Sequence, residues 1–304
     1  MNQMIKEYPF DLCFVILNYN IINETINCID SIKSNIDTNN YKIILVDNGS
    51  EDQISNQLSL IYRGDDRVIF VKNSENLGFA KGNNVGIQKA LSFEPKYVCC
   101  LNNDALLNQN DFFEVLDRAY NIHHDALIGP RVILRDGSVQ SYSNRLKTLD
   151  EYNHDLMLYE SALNGSKIKD FFRDIPLFYN IYHYLFNLIN NSKRIRQPQV
   201  DPFLEKQNVI LHGCCLIFTP IFFERLVGFN PDTFLYREEE LLYLDVISNN
   251  LTTRYLPSIY ISHLEDVSTN SINIRRSQKN HFYLKNQIDS LRVLIKKLET
   301  INQL

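Results

Sequence analysis

Four short polar clusters recur along the first third of the chain: Asn18-Tyr19-Asn20, Asp47-Asn48-Gly49-Ser50, Lys72-Asn73 with Asn76-Leu77-Gly78, and Asn102-Asn103-Asp104. Two of them carry a carboxylate directly after an apolar run. At Asp47, such a group can accept hydrogen bonds from a ribose hydroxyl or a base N–H. Asp104 is a lone carboxylate in an oxygen-rich cluster of the kind that holds Mg²⁺ or Mn²⁺, ions bound through one or two carboxylates plus substrate phosphates. Gly78, Gly82 and Gly86 are spaced by four. That spacing puts small residues on one helix face, where backbone approaches a ligand or a neighbouring strand closely; packing alone is the alternative. Further along stand the run Glu238-Glu239-Glu240 and the lone His263. Taken alone, the first reads as a solvated acidic helix start favoured by the macrodipole, and the second as a structural histidine.

The elements around these clusters explain why they belong together. Phe10–Leu17, Lys42–Val46, Arg67–Val71 and Tyr97–Leu101 are continuous apolar runs, expected as buried parallel strands. Between and after them, helices are expected over Asn23–Asn35, Gln53–Tyr62, Ala80–Leu91 and Asp111–Tyr120; in the first, Ile26, Ile29, Ile32 and Ile36 recur at three and four. Strand-helix alternation implies a parallel sheet with helices on both faces. All the strand ends carrying polar clusters then lie on one edge, where open α/β sheets bind ligands. Turn preferences for Asn, Asp and Gly explain any one cluster but strain at four. In the second half, strands are expected at Ile128–Leu134, Gln207–Thr219 and Thr253–Ser262, a loop and helix start over Asp232–Val246, an irregular insert over roughly 140–205 and a helix from about Ser277.

Composition narrows the class. The 304 residues are 44% hydrophobic and 22% charged, ordinary for a globular chain and too apolar for disorder. With 36 acids against 31 bases the net charge is −5, which argues against nucleic acid as a partner. Met1–Asp11 has no apolar signal region, and no apolar stretch reaches the roughly 20 residues of a membrane span. The six cysteines lack C-x-x-C spacing and sit mostly in apolar runs, as expected of buried thiols in a reducing cytoplasm. The first strand leads into Asn18-Tyr19-Asn20-Ile21 rather than G-x-G-x-x-G, and neither a P-loop nor a G-x-S-x-G elbow is present.

The ordered set Val15–Asn20, Val46–Ser50, Asn76–Gly86 and Leu101–Asp104 resembles glycosyltransferase family 2, in particular its rhamnosyltransferase-like and capsular polysaccharide group. The resemblance continues through Gly228-Phe229-Asn230-Pro231-Asp232 to Glu240 and into His263–Thr269. It implies an α/β GT-A fold, Rossmann-like with a mainly parallel sheet flanked by helices, and inverting transfer from a nucleotide-sugar. It also implies that Asn18, Tyr19, Asn20, Asp47, Asn76, Gly78, Gly82, Asn83 and Asn103 bind the UDP- or dTDP-linked donor. Asp104 and His263 would hold a divalent metal, Mg²⁺ or Mn²⁺, and Glu239 would be the catalytic base. Two departures stand out. The usual D-x-D is Asn102-Asn103-Asp104, with one carboxylate, and the usual Glu-Asp-x-Asp is Glu238-Glu239-Glu240-Leu241.

The same resemblance gives a GT-A domain over 8–270, divided into a nucleotide-binding half at 8–120 and an acceptor half at 121–270 that contains the insert 140–205. A basic amphipathic segment, 271–304, follows. Within the insert, Ile175–Ile189 is apolar-aromatic and flanked by bases, which fits either an interfacial segment touching lipid or a lipid-linked oligosaccharide acceptor, or a helix over the acceptor cleft. Residues 270–304 carry a net +5, and Leu284, Ile288, Leu291, Ile295 and Leu298 alternate at four and three. That pattern fits a membrane surface, a homodimer seam or docking on the chain's own core. The expectation is a cytoplasmic enzyme, peripheral at most on the inner face of the cell membrane, that extends a surface glycan. A sugar nucleotidyltransferase would need a Gly-rich, Arg-containing loop after the first strand, which Asn18–Ile22 lacks. A catalytically degenerate GT-A-like scaffold is the non-enzymatic alternative.

Overall fold

The computed structural model describes residues 7–140, 142–171, 201–264 and 276–302. The expectations for Ile175–Ile189 and for 265–269 lie outside the described residues. Strands β1 (Phe10–Asn18), β2 (Tyr41–Asp47), β3 (Val68–Lys72) and β4 (Pro95–Asn102) alternate with helices α1 (Asn23–Asn35), α2 (Asp52–Ile61) and α3 (Gly78–Leu91). Then come β5 (Ala105–Leu107), α4 (Phe112–His123), β6 (Leu127–Leu134), β7 (Val139–Gln140), β8 (Tyr142–Ser143) and α5 (Leu149–Phe171). The second half adds β9 (Lys206–Gln207), β10 (Ile210–Leu211), β11 (Cys215–Phe218), α6 (Pro220–Phe223), α7 (Glu238–Ser248), β12 (Thr253–His263) and α8 (Arg276–Asn302).

The main sheet runs β3-β2-β1-β4-β11-β6-β12-β5. β3, β2, β1 and β4 are mutually parallel, β11 is antiparallel to both β4 and β6, and β12 runs parallel to β6. β1 is central, and both of its faces are covered. Leu12, Phe14 and Ile16 pack toward Ile29 and Ile32 of α1 and Leu116 of α4. The alternate residues Cys13 and Val15 pack toward Ala80, Ile87 and Ala90 of α3. Period-two alternation of a strand buried on both faces explains why its sequence is apolar throughout. All six cysteines are buried and free.

Two stretches differ from expectation. The single strand expected over Gln207–Thr219 is three short strands, broken at His212-Gly213 between β10 and β11. The insert expected to be irregular contains α5. Its start is a reciprocal capping box: the Thr148 N–H donates to Glu151 Oε2 at 2.7 Å and the Glu151 N–H to Thr148 Oγ1 at 3.2 Å. Tyr152 of α5 packs with Leu241 and Leu244 of α7 and with Leu291, Leu294 and Ile295 of α8. The apolar stripe of the C-terminal helix is therefore filled from within the chain, including buried Leu284 and Ile288. Lys297 pairs with Asp245 of α7, and Arg292 with Glu160 of α5 at 2.7 Å. Of the three readings its spacing allowed, docking on the chain's own core accounts for this stripe.

The N-terminus of α3 is locked to the second half. The Phe79 N–H donates to the Phe234 carbonyl at 2.8 Å, and Asn84 uses both ends of its amide on the Phe229 backbone, each at 2.8 Å. Gly78 has φ +81°, and a Cβ there would overlap the Phe234 carbonyl oxygen. Gly78→Ala therefore combines left-handed strain with a backbone clash and should cost about 3 kcal/mol or more. Gly64 has φ +85° with open space around it, and Gly64→Ala should cost only about 1 kcal/mol. Denaturant melts of the two variants check the difference.

Candidate active site

The ends of β1, β2 and β4 meet at one edge: Asn18 faces Asp47, and Leu17 faces Asn102. Asp47 is fully buried, and neither carboxylate oxygen has a protein partner. A buried carboxylate without donors is costly unless a ligand supplies them. Its neighbours, by contrast, are committed to one another. Asn18 Oδ1 accepts from Thr25 Oγ1 at 2.9 Å and from Asn103 Nδ2 at 3.3 Å, and Asn103 Nδ2 also donates to Thr25 Oγ1 at 3.0 Å. Asn20 is left-handed at φ +57° and accepts the Glu51 N–H at 2.9 Å. Half-buried Tyr19 lies between them in the same turn.

Asn48, which sequence reasoning did not single out, is the hub of the adjoining turn. Its amide donates to Asn76 Oδ1 at 3.0 Å and to the Gly78 carbonyl at 3.1 Å, and accepts from Asn73 Nδ2 at 3.0 Å and the Leu77 N–H at 3.1 Å. That uses all four of its hydrogen-bonding positions. Asn76 also accepts the Gly78 N–H, and Asn83 donates to the Phe79 carbonyl. Gly82 and Gly86 face Leu17 and Val15 of β1, leaving no room for a Cβ. Asn76, Gly78 and Gly82 thus fix the start of α3 against β1, the Asn48 turn and the loop before α7.

Asp104 and His263 are brought together by β5, a three-residue strand too short to read from sequence, which pairs Ala105 with His263. Asp104 is buried, and its Oδ1 lies 3.2 Å from His263 Nε2. Among the described residues, no group of three or more His, Cys, Asp or Glu side chains is placed to hold a metal ion. The Asp104 carboxylate nevertheless fits Mg²⁺ or Mn²⁺, ions that take their remaining ligands from phosphates and water, and the His263 imidazole beside it favours Mn²⁺ over the harder Mg²⁺. His212 stacks edge-on to His263 with ring centres 5.9 Å apart. Its Nδ1 accepts the Cys214 N–H at 3.2 Å, which leaves the proton on Nε2. Burial first, and His263 second, push its pKa down to about 4, so the ring is neutral at physiological pH.

His212 opens onto a cavity of about 340 Å³ whose wall includes Phe79, Asn102, Gly213 and all three glutamates. Two consecutive left-handed residues, Tyr236 (φ 75°) and Arg237 (φ 68°), turn the chain sharply into α7. The three carboxylates then fall into different settings. Glu240 pairs with Arg237 at 2.8 Å. Glu238 is buried with Oε1 unpartnered, and burial, then Glu239, raise its pKa to about 8. Glu239 is raised by burial and by Glu240, opposed by backbone N–H groups including that of Gly213. Gly213 was not evident from sequence; a Cβ there would overlap Glu239 Oε1. A larger hollow of about 650 Å³ along α4 lies apart from all these groups.

The model described as glycosyl transferase family 2 matches residues 13–187. The chain belongs to glycosyltransferase family 2. A curated relative, the bifunctional glycosyltransferase pgtA of Dictyostelium discoideum, is 26% identical over 218 residues, covering 69% of this chain. The chain spans about a quarter of that relative's length, 24%. Among solved structures, S. aureus TarS 1–349 in complex with UDP-GlcNAc aligns with a TM-score of 0.53 at 13% identity, over 93% of this chain and 66% of that one. GalNAc-T7 with UDP, GalNAc and Mn²⁺ aligns with a TM-score of 0.54 at 13% identity, over 90% of this chain and 48% of that one. The fold is GT-A, a large mostly parallel sheet flanked by helices, as the resemblance implied.

The geometry around Glu239 generates two predictions. Gly213→Ala pushes only the flexible end of Glu239, so the protein should fold with a melting temperature close to wild type. Displacing a reacting group by about 1 Å can cost up to roughly a hundredfold in rate, so turnover should fall tenfold to a hundredfold while donor affinity holds; rates and donor titrations compare them. Glu238 titrates near 8 when folded and near 4.5 when unfolded. Its contribution to stability is thus full below about pH 4.5 and is lost as pH rises to about 8. Glu238→Gln should melt above wild type by a margin that widens between pH 5 and 8, reaching on the order of a few kcal/mol. Melts across that range measure it.

Proposed function

We propose that this family 2 glycosyltransferase moves one sugar, with inversion, from a UDP- or dTDP-linked donor to a hydroxyl of a glycan acceptor. The observation that carries the reading is Asp47: a fully buried carboxylate with no protein partner at the sheet edge where the family's other motifs end. Its two oxygens suit the N–H groups of a base or the hydroxyls of a ribose. Asn18, Tyr19, Asn20 and Asn103 shape the same pocket, Asn18 and Asn103 through their mutual hydrogen bond and Asn20 through the Ser50 hydroxyl and the Glu51 N–H. UDP and UDP-GlcNAc in the names of the neighbouring structures support a uridine donor.

Asp104 and His263 would hold a divalent ion, Mg²⁺ or Mn²⁺, which when bound supplies Lewis-acid stabilisation to a departing diphosphate. Glu239 takes the proton of the acceptor hydroxyl. The acceptor oxygen forms its bond to the anomeric carbon as the bond from that carbon to the diphosphate oxygen breaks, the electron pair leaving with the nucleoside diphosphate. A carboxylate whose pKa is raised by burial is more basic than a free one, which suits general-base work. Glu240 serves it by charge, as a close acid that helps keep Glu239 basic, and Arg237 holds Glu240 aside. The basic residues flanking 175–189 support an acceptor carried on a lipid at the membrane surface, as in surface polysaccharide synthesis.

The experiment measures donor affinity and transfer across a panel of UDP-, dTDP- and GDP-sugars with Mn²⁺. Glu239→Gln should keep donor affinity and lose about 10²–10⁴-fold in rate. Asp104→Asn should lose the Mn²⁺-dependent part of donor affinity along with turnover. Near-normal turnover in Glu239→Gln contradicts the assignment of the base, and chelator-insensitive turnover in Asp104→Asn contradicts that of the metal site.

A further inference from the structure

The C-terminal helix contributes a wall to the cavity that holds Glu239. Gln287 of α8 lines it and is only 7% exposed. Its Oε1 is buried without a partner. Across the same cavity, Glu238 Oε1 is a second buried oxygen without a partner, on a residue 6% exposed. Buried acceptors left unpaired are costly, and two in one cavity call for a ligand that brings several donors. The helix is fixed where it can do this: Ser290 Oγ donates to the Leu235 carbonyl at 2.7 Å, and Tyr283 packs edge-on to Tyr236 with ring centres 5.3 Å apart. At about 340 Å³ the cavity falls in the range of small-molecule sites, roughly 300–1,000 Å³.

We infer that Gln287 Oε1 and Glu238 Oε1 form a hydroxyl-recognition subsite for the acceptor sugar, holding its ring so that one hydroxyl faces Glu239. Hydroxyls on a pyranose supply the two donors, whereas a hydrocarbon or a fully ionised phosphate supplies none. At neutral pH, Glu238 below its raised pKa also carries a proton it can return to a sugar oxygen. The subsite rests on the glycosyltransferase reading and names which part of the chain selects the acceptor: α8, which lies outside the span matched by the family model.

The test uses the full chain saturated with UDP and Mn²⁺, titrated with the methyl glycosides of glucose, galactose, N-acetylglucosamine and rhamnose and followed by saturation-transfer NMR. At least one glycoside should bind. Gln287→Met, which keeps length and removes both amide groups, should weaken that glycoside tenfold or more while leaving UDP affinity and melting temperature unchanged. If Gln287→Met fails to fold, Gln287→Asn withdraws Oε1 from the cavity and is read in the same way. An unchanged glycoside affinity, or no glycoside bound by the UDP-loaded wild type, overturns the subsite and leaves the donor reading standing. Failure of UDP itself to bind the wild type overturns the donor reading and the subsite with it.

Discussion

The backbone of Phe234 rests on Gly78, and the rest of the site depends on that contact. Position 78 admits no side chain, the Phe79 N–H meets the Phe234 carbonyl, and Asn84 ties down Phe229 at both ends of its amide. This joins the turn after β3, where Asn48 gathers Asn73, Asn76 and Leu77, to the loop that leads into Glu238–Glu240. Were α3 to start with a larger residue, the carboxylates of α7 would lose their fixed relation to the ends of β1, β2 and β4. The third support of the same loop is α8, through Ser290 and Tyr283.

Against this rigid frame the site stores unpaid electrostatic cost. Asp47, Glu238 and His263 each keep a buried polar atom without a protein partner, where native interiors normally satisfy such groups. They lie where the family's chemistry is expected: at the nucleoside, acceptor and diphosphate positions. On a surface, three glutamates at a helix start are favoured by the macrodipole; burial is what makes them costly. Here one is neutralised by Arg237, one is driven toward its protonated form by burial, and the third, Glu239, is left beside the Gly213 N–H with a raised pKa.

The first 120 residues were legible in the sequence because each strand from β1 to β4 is a continuous apolar run and amphipathic helices lie between them. Observed boundaries fall within two or three residues of those expected. Asp47 and Asp104 drew attention because each directly follows such a run, whereas Glu239 was singled out by the family resemblance alone. What escaped were contacts between segments far apart in the chain. His212 and Gly213 sat inside a run that reads as one strand, and only the break between β10 and β11 turns them to the cavity. β5 is three residues long, so the pairing that brings His263 to Asp104 left no periodic signal. The glycines of α3 gave the right helix face and left its neighbour open between a ligand and a strand; Gly82 and Gly86 face β1. Gln287 was hidden because the stripe beside it read equally well as a membrane face, a seam or a docking face, and charge does not choose among them.

The central claim is that one donor molecule is held between Asp47 and the Asp104–His263 pair, facing Glu239. A crystal structure of the full chain grown with UDP and Mn²⁺ tests it most directly. The account predicts the uracil or ribose hydrogen-bonded to Asp47, the metal on Asp104 and His263 with the diphosphate, and the cavity beside Glu239 left open for the acceptor. A nucleotide bound along α4, or one whose diphosphate avoids Asp104, would contradict it.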